Sequence, residues 1–317
     1  MPIKIPNDLP ARLVLEDEGV PIISETSAIH QDIRPLRIAL LNLMPNKIRT
    51  ETQLARLIGS TPLQIELTLL KTATYESRNT PEQHLIDFYQ TWDDVRDEYF
   101  DGLVVTGAPI ETLPFADVDY WDELTRILDW TVDHVYSSFY ICWGAQAALQ
   151  HFYGVPKYEL PRKMFGVFEH QIVKPNTLLL RGFNDHFLIP VSRHTEVRSA
   201  DIPNIPGLDI LAESADSGLC LVEDAPRRAV FMFNHLEYDA LTLKEEYERD
   251  LAAGLDIQLP CNYFPEDDPT AEPLNLWRSN AHLLFWNWIS GMYAGTPFDL
   301  HEIGPSRELT ERSAKPA

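Results

Sequence analysis

The sequence predicts an α/β fold in which helices cover both faces of a mostly parallel sheet. Short apolar runs alternate along the chain with segments of helical spacing, and several runs end in turns rich in glycine, proline or asparagine. Apolar strands that alternate with helices are typical of a parallel sheet buried on both faces. Ligands bind such sheets beyond the carboxyl ends of the strands. Functional residues are therefore expected in the turns at 43–47, 107–111, 142–144 and 234–239.

The first half of the chain supplies most of the parallel sheet. Four apolar runs bounded by turn residues predict strands at 37–42, 63–70, 101–106 and 138–141. Residues 50–57 and 121–135 are predicted to be helical. The second helix has apolar residues three or four positions apart, at Leu124, Ile127, Leu128 and Val132. A further helix is expected from Gly144 to Leu149, where the residues are small or apolar.

The pattern is looser after Gly154. Further strands are predicted at 166–173, 209–212 and 229–233. A helix over 241–253 is expected to end at Gly254, because glycine is favoured just beyond a helix C-terminus. Proline and aspartate make 260–273 a loop, and 274–293 is predicted to be an aromatic-rich helix.

We interpret the chain as one compact domain over residues 1–300. The sequence of 317 residues is long enough for a large single core, and it contains no internal repeat or low-complexity linker. Residues 1–35 form an N-terminal extension that precedes the first predicted strand. Residues 301–317 are polar and are predicted to be a disordered tail.

The composition excludes several classes of function. A net charge of −22 without a stripe of lysine and arginine argues against a nucleic-acid partner. The first residues lack the apolar segment of a signal peptide, and no run approaches the roughly 18 apolar residues that span a bilayer. The three cysteines show no C-x-x-C pairing, which indicates free thiols in a reducing compartment. These features predict a cytoplasmic protein that contacts neither membrane nor nucleic acid.

Cys142 lies at a predicted strand-to-helix turn in the stretch FYICWGAQAAL. A sulfur at a helix N-terminus is surrounded by unpaired N–H groups and by the positive end of the helix dipole, which favour the thiolate. The same N–H groups can stabilise an oxyanion, so one turn could supply both a nucleophile and its electrophilic support. Gly144 would permit close packing. The sequence around Cys142 is equally compatible with a buried structural cysteine.

His235 and Glu237 are candidates for a general base and its partner. They directly follow the predicted strand AVFMFN, and an imidazole there could take a proton from a thiol or hydroxyl while the carboxylate fixes its tautomer. The H-x-E pattern alone is weak, but with Cys142 it predicts a Cys–His–Glu triad. His170 and His194 are the rival histidines for a catalytic role.

The motifs C-W-G-A-Q and H-L-E-Y-D resemble the core of class I glutamine amidotransferases, a flavodoxin-like sheet with a Cys–His–Glu triad. Longer segments closely resemble bacterial homoserine O-acyltransferases of the succinyltransferase type. They include ALLNLMPNKIRTETQLARL, DGLVVTGAPIETLPFADVDYW, FGVFEHQIV, EYDALTLKEEYERDLAAGL and NYFPEDDP. The resemblance extends over roughly residues 1 to 300 and implies the class I glutamine amidotransferase-like fold.

The resemblance implies acyl transfer from acyl-CoA to the hydroxyl of L-homoserine, an early step of methionine biosynthesis. Cys142 would carry the acyl-thioester, His235 would be the general base, and Glu237 would orient it. Lys47 would lie beside the site and help to stabilise the oxyanion. The positions that match substrate-binding residues are Lys163, Ser192 and Arg249.

Each of these substrate-binding assignments has a plain alternative. Lys163 could be a solvated loop cation, and Ser192 could cap a turn. Arg249 could pair with Glu245 four residues earlier on a helix. A guanidinium nevertheless suits the homoserine carboxylate, because the two groups pair bidentately.

Glu111 bears on the identity of the acyl donor. In the family that this chain resembles, a glycine at this position accompanies succinyl-CoA and a glutamate accompanies acetyl-CoA. A glutamate would repel the terminal carboxylate of a succinyl group and fill the space that it needs. The sequence therefore predicts acetyl-CoA as co-substrate, with succinyl-CoA as the alternative. A glutamate on the loop surface would leave the donor undecided.

The predicted mechanism is ping-pong transfer through an acyl-cysteine, without a metal or prosthetic group. The first rival function is a glutamine amidotransferase subunit, which would need a synthetase partner and would leave Lys47, Glu111 and Arg249 without a role. The second is a non-catalytic sensor module with a redox-active cysteine, although a sensor would need neither His235 nor Glu237. The resemblance also fits a homodimer.

Overall fold

The computed structural model describes residues 3–5, 9–17, 22–24, 34–74 and 80–313. Its strands are β1 (Ile3–Ile5), β2 (Ile22–Ser24), β3 (Leu36–Leu41), β4 (Ile65–Lys71), β5 (Tyr89–Thr91), β6 (Phe100–Val105), β7 (Val135–Ile141), β8 (Tyr158–Ile172), β9 (His186–Glu196), β10 (Leu208–Ser214), β11 (Gly218–Asp224) and β12 (Ala229–Met232). Its α-helices are α1 (Ala11–Asp17), α2 (Lys47–Ile58), α3 (Glu82–Phe88), α4 (Trp92–Val95), α5 (Trp121–His134), α6 (Trp143–Tyr153), α7 (Thr242–Ala252), α8 (Arg278–Gly295) and α9 (Arg307–Ser313).

The strands form one sheet in the order β2-β1-β4-β3-β6-β7-β12-β11-β10-β8-β9, and β5 pairs with β4. All neighbouring strands from β2 to β12 are parallel, whereas those from β12 to β9 are antiparallel. The predicted α/β fold with a mostly parallel sheet is therefore confirmed. Because the carboxyl ends of β3, β6, β7 and β12 meet at one edge, the turns that follow these strands lie together.

Helices cover both faces of the parallel strands, as the sequence predicts. Along β3, Ile38 and Leu40 belong to one buried apolar cluster, and Ala39 and Leu41 belong to another. Side chains alternate between the two faces of a strand, so these clusters lie on opposite faces of the sheet. Helices α2 and α8 contribute to the first cluster, and α5 and α6 contribute to the second. Strands buried on both faces read as continuous apolar runs, which is why the sequence reveals them.

The antiparallel part of the sheet is less visible in the sequence. Strands β9 and β11 were not predicted, and β8 begins eight residues before the predicted 166. Strand β9 alternates between buried and partly exposed positions and carries Ser192, Arg193 and His194 in its second half. Its polar residues conceal a strand that is held mainly by pairing with β8. The last long helix also begins at Arg278, later than the predicted 274.

The two ends of the chain contribute ordered elements. Strand β1, from the predicted N-terminal extension, pairs in parallel with β4 and β2. Helix α9 lies within the predicted disordered tail, so that prediction is wrong for residues 307–313. Leu309 is buried, and the Arg312 guanidinium lies 3.1 Å from the Asp224 carboxylate, which anchors the helix to β11. Residues 314–317 lie outside the described part of the chain. Within that part, no helix is both long enough and apolar enough to cross a bilayer.

Candidate active site

Cys142 occupies a sharp turn between β7 and α6. Its backbone has φ 51° and ψ −116°, an unusual conformation for a residue with a side chain. The turn is fixed on both sides: the Cys142 N–H donates to the Met232 carbonyl at 2.7 Å, and the Cys142 carbonyl accepts the N–H groups of Ala145 and Gln146. Strain of this kind persists where the surrounding structure over-determines it, often at active sites. The thiol is thus placed at the N-terminus of α6, as predicted.

Two glycines allow the neighbouring turns to approach Cys142. A Cβ atom on Gly144 would lie 2.7 Å from the Thr106 carbonyl oxygen, closer than van der Waals contact allows. A Cβ atom on Gly107 would lie 3.2 Å from the Cβ of Cys142. The turns after β6 and β7 therefore pack backbone against backbone, and the predicted packing role of Gly144 is confirmed.

His235 links Cys142 to Glu237. Its Nδ1 lies 2.6 Å from Oε1 of Glu237, its ring stacks on Tyr238 at 4.2 Å between centroids, and it interacts electrostatically with the side chain of Cys142. Burial lowers the pKa of His235, but the charges of Glu237 and Cys142 outweigh burial and raise this pKa well above its ordinary value. The geometry brings the predicted Cys–His–Glu triad together and favours a proton on the imidazole of His235.

A cavity of about 300 Å³ opens over the thiol. Cys142 and His235 line it, together with the predicted specificity and substrate residues Glu111, Lys163, Ser192 and Arg249. Residues from distant parts of the sequence therefore meet around the Cys142 thiol. Glu237 does not belong to the cavity lining and supports His235 from behind.

Glu246 organises one wall of this cavity. Its Oε2 atom accepts hydrogen bonds from Ser192 Oγ at 2.5 Å and Lys163 Nζ at 3.1 Å, and its Oε1 atom accepts one from Tyr238 Oη at 2.7 Å. Burial raises the pKa of Glu246, but Lys163 and the two hydroxyl groups reverse this effect and lower it. Glu246 is therefore an anion at neutral pH.

The sequence did not lead us to predict Glu246 as a site residue, although its spacing from Arg249 indicated that position. It lies three residues before Arg249 on α7, and residues with this spacing share a helix face. The alternative for Lys163, a solvated loop cation, is wrong: its side chain is only 8% exposed, lies in β8, and also contacts Asp250 at 3.2 Å.

Arg249 lies at the cavity mouth with two-thirds of its side chain exposed. Its Nε atom donates to Asp250 at 2.7 Å. The pairing with Glu245 that the helical spacing suggested is not the one found, since Glu245 pairs with Arg49 from α2. The guanidinium is therefore held beside the cavity by its neighbour in sequence.

Lys47 is buried behind the cavity rather than in its lining. Its ammonium donates to the backbone carbonyls of Asn42 and Met44 and lies 5.6 Å from the centre of the Tyr89 ring. Burial lowers the pKa of Lys47 to about 8. The structure thus places Lys47 as a brace for the turn after β3, from which Met44 reaches the cavity.

Glu111 lies in the cavity wall on the turn after β6. The backbone N–H of His194 donates to its carboxylate at 3.3 Å. Lys157 binds the main-chain carbonyl of Glu111 and that of Leu113, the latter at 2.6 Å. These contacts fix the turn that carries Glu111 in the wall of the cavity that Cys142 also lines.

The rival histidines are unlike His235. His170 is fully buried, and its ring nitrogens contact the Phe168 carbonyl at 2.9 Å and Asn234 Nδ2 at 2.8 Å. Burial lowers the pKa of His170 to about 4, so it is a neutral core residue. His194 does line the cavity, but it is exposed on strand β9.

The fold and this site define an α/β protein with the amidotransferase-like fold and a cysteine at a sharp strand-to-helix turn. Among solved structures, a glutamine amidotransferase from Thermotoga maritima covers 82% of this chain and 99% of its own, with a TM-score of 0.52 at 13% identity. The acivicin-bound glutaminase domain of CTPS from Trypanosoma brucei covers 86% and 98%, with a TM-score of 0.50 at 12% identity. At such identities the likeness concerns the fold, and it confirms the predicted fold class.

The sequence comparison is more specific. Residues 2–298 match the sequence model of the homoserine O-succinyltransferase family, and the chain belongs to this family. A homoserine O-acetyltransferase from Chelativorans sp. strain BNC1 is 59% identical over 97% of this chain and 99% of its own length. Another from Acetivibrio thermocellus is 58% identical over 96% and 100%. The predicted family resemblance is therefore confirmed.

Proposed function

We propose that this chain transfers an acetyl group from acetyl-CoA to the side-chain hydroxyl of L-homoserine, giving O-acetyl-L-homoserine for methionine biosynthesis. The observation that carries the proposal is that Cys142 and His235 line one cavity, that Glu237 contacts His235, and that the cavity walls hold both an anion and a cation. Relatives of nearly the same length are named homoserine O-acetyltransferases. Acetyl-CoA is a co-substrate, and the proposed reaction uses no metal or prosthetic group.

In the first half-reaction, the Cys142 thiolate attacks the thioester carbonyl of acetyl-CoA. The first N–H groups of α6 stabilise the tetrahedral oxyanion, because a helix N-terminus leaves such donors without intrahelical partners. Lys47 supports this region by holding the turn at Met44. The intermediate collapses to acetyl-Cys142, and the CoA sulfur leaves with the proton from His235.

In the second half-reaction, homoserine enters the same cavity. Glu246 suits its α-ammonium group, Arg249 suits its α-carboxylate, and Ser192 and Lys163 hold Glu246 in place. His235 removes the proton of the homoserine hydroxyl, and the oxygen attacks the acetyl-thioester. The Cys142 thiolate is then the leaving group. Storage as a thioester keeps the acetyl group reactive, because exchange between two thioesters is nearly isoenergetic.

Glu111 selects the donor in this proposal. Its carboxylate faces the cavity that contains the acyl group, and it would repel the terminal carboxylate of a succinyl group in a partly desolvated space. Acetyl has neither that charge nor the additional carbons. The alternative donor is succinyl-CoA.

The test measures CoA thiol release by the purified protein with L-homoserine and either acetyl-CoA or succinyl-CoA. We expect a clear preference for acetyl-CoA and, without homoserine, a protein whose Cys142 peptide carries one acetyl group. Cys142→Ala should lose both signals, whereas Cys261→Ala, at an exposed free cysteine, should retain them. No release with either donor would overturn the proposal, and a preference for succinyl-CoA would overturn the role of Glu111. A homodimer and a cytoplasmic location belong to the same proposal and can be checked by light scattering and cell fractionation.

A further inference from the structure

A buried guanidinium lies behind the proposed active site. Arg193, the β9 residue after Ser192, is only 3% exposed. Its guanidinium donates to the Asn234 side-chain oxygen, the Phe233 carbonyl and the Ser217 carbonyl. All three acceptors are neutral, and within the described residues no carboxylate pairs with it. A buried charge is expensive unless it is compensated, so this arrangement calls for a functional explanation.

The contacts of Arg193 connect it to residues 232–235, which we call the catalytic segment because they end at the proposed base, His235. Phe233 and Asn234 join Met232, whose carbonyl holds the Cys142 N–H, to His235. The guanidinium is therefore fixed against the short segment that positions both the nucleophile and its base.

Cys142 interacts electrostatically with Arg193 across this segment. Burial lowers the pKa of Arg193, and the charges of Cys142, Cys220 and Glu196 oppose this effect. Cys220 is a neutral thiol at pH 7, because burial raises its pKa to about 12. His170, which contacts Asn234, is also neutral. The groups that surround Arg193 thus accept its hydrogen bonds but supply little negative charge.

We propose that Arg193 is a positioning residue that supplies a fixed positive charge behind the Cys142 thiolate and holds the segment before His235. The proposal rests on the nucleophilic role proposed for Cys142. Its consequence concerns the second half-reaction, in which His235 must be neutral to accept the proton of the attacking hydroxyl. Arg193 then remains as a permanent cation that stabilises the departing thiolate of Cys142.

The test uses the rate at which iodoacetamide alkylates Cys142, followed by mass spectrometry of the Cys142 peptide from pH 5 to 10. The thiolate is the reacting form, so the midpoint of the pH profile reports its stability. The other ionisable groups around the two residues, which the variants leave unchanged, are Glu111, Lys163, His170, His194, Glu196, Cys220, His235, Glu237, Tyr238, Glu246 and Arg249.

Arg193→Met should move this midpoint upward by about one pH unit, as expected for the loss of a nearby buried charge. Arg193→Lys keeps the charge and should leave the midpoint within a few tenths of the wild-type value. The matched control is Arg162→Met, at an exposed arginine of β8 that contacts Gln258, and it should have no effect. If Arg193→Met does not fold, as judged by circular dichroism, Arg193→Gln replaces it as the neutral variant.

An unchanged midpoint in the neutral variant would overturn the proposal, and so would an equal shift in Arg193→Lys, because that would indicate a structural role only. The assay contains neither CoA nor homoserine. A wild-type protein that transfers no acyl group would therefore overturn the proposed function while the alkylation profiles still decide the role of Arg193.

Discussion

The Lys163 ammonium lies 3.1 Å from the Glu246 carboxylate, in a pair whose side chains are 8% and 15% exposed. The same carboxylate accepts hydrogen bonds from Ser192 and Tyr238, so its orientation toward the cavity is fixed before a substrate arrives. Fixed orientation reduces the entropy lost on binding. This relationship assigns Lys163 and Ser192 a shared task, which is to hold the carboxylate that we propose receives the homoserine ammonium.

Glu246→Gln should raise the KM for homoserine by about 10- to 100-fold, because a charged hydrogen bond to the ammonium is replaced by a neutral one. The KM for acetyl-CoA should change far less. Steady-state kinetics with each substrate varied in turn provide the measurement. Glu248→Gln, at an exposed position of the same helix, is the matched control. An unchanged KM for homoserine would exclude Glu246 from the substrate site.

Glu237→Gln should reduce kcat by about 10²- to 10⁴-fold, because the imidazole of His235 loses the carboxylate that orients it. It should also lower the pKa of His235, since Glu237 raises that pKa in the folded protein. The proton on His235 is then lost at lower pH. The alkaline limb of the Cys142 acetylation rate, measured by rapid quench, should move in the same direction. A limb that stays in place would contradict the predicted link between the two residues.

Two substitutions of Glu111 separate its charge from its size. Glu111→Gln removes the charge and should increase the use of succinyl-CoA relative to acetyl-CoA several-fold. Glu111→Gly also removes the side-chain volume and should increase this ratio further. The ratio of kcat/KM for the two donors is the measurement. If neither variant changes the ratio, Glu111 does not select the donor.

Gly144→Ala should lower the free energy of unfolding by about 1–3 kcal/mol, the usual effect of overpacking. The added methyl group would lie 2.7 Å from the Thr106 carbonyl and 3.0 Å from that of Val105, both of which are fixed backbone. Gly304→Ala is the matched control, because no atom lies within 4 Å of its added methyl group. Urea unfolding of the wild type and of the two variants provides the measurement. Equal unfolding midpoints would show that the turn at Cys142 can accommodate the added methyl group.

His170 should make the protein less stable in mild acid. Its pKa is about 4 in the folded protein and near 6.5 when unfolded, so the unfolded chain binds more protons between these values. The contribution of His170 to the free energy of unfolding is fully present above pH 6.5 and is lost as the pH falls through 4. Between pH 7.5 and 5 the loss is about 2 kcal/mol. His170→Asn should remove this part of the pH dependence in urea unfolding, and an unchanged dependence would show that His170 is not responsible.

The sequence by itself determined the parallel sheet, the elbow at Cys142 and the pairing of His235 with Glu237. These features depend on local patterns: a strand buried on both faces is a continuous apolar run, and a triad member lies at the end of such a run. The residue types at positions 142 and 111, a cysteine and a glutamate, can likewise be read directly from the sequence. Resemblance over nearly the whole chain then indicated the reaction.

Only the tertiary structure decided which polar residues meet. Lys163, Ser192 and Glu246 come from β8, β9 and α7, and their contacts depend on antiparallel pairing that their mixed polar sequences conceal. It also placed Lys47 behind the cavity instead of in its lining and buried Arg193 beside the catalytic segment. Burial and pairing of a charge are properties of its surroundings in space. A one-dimensional pattern therefore predicts where such groups occur along the chain but not how they are compensated.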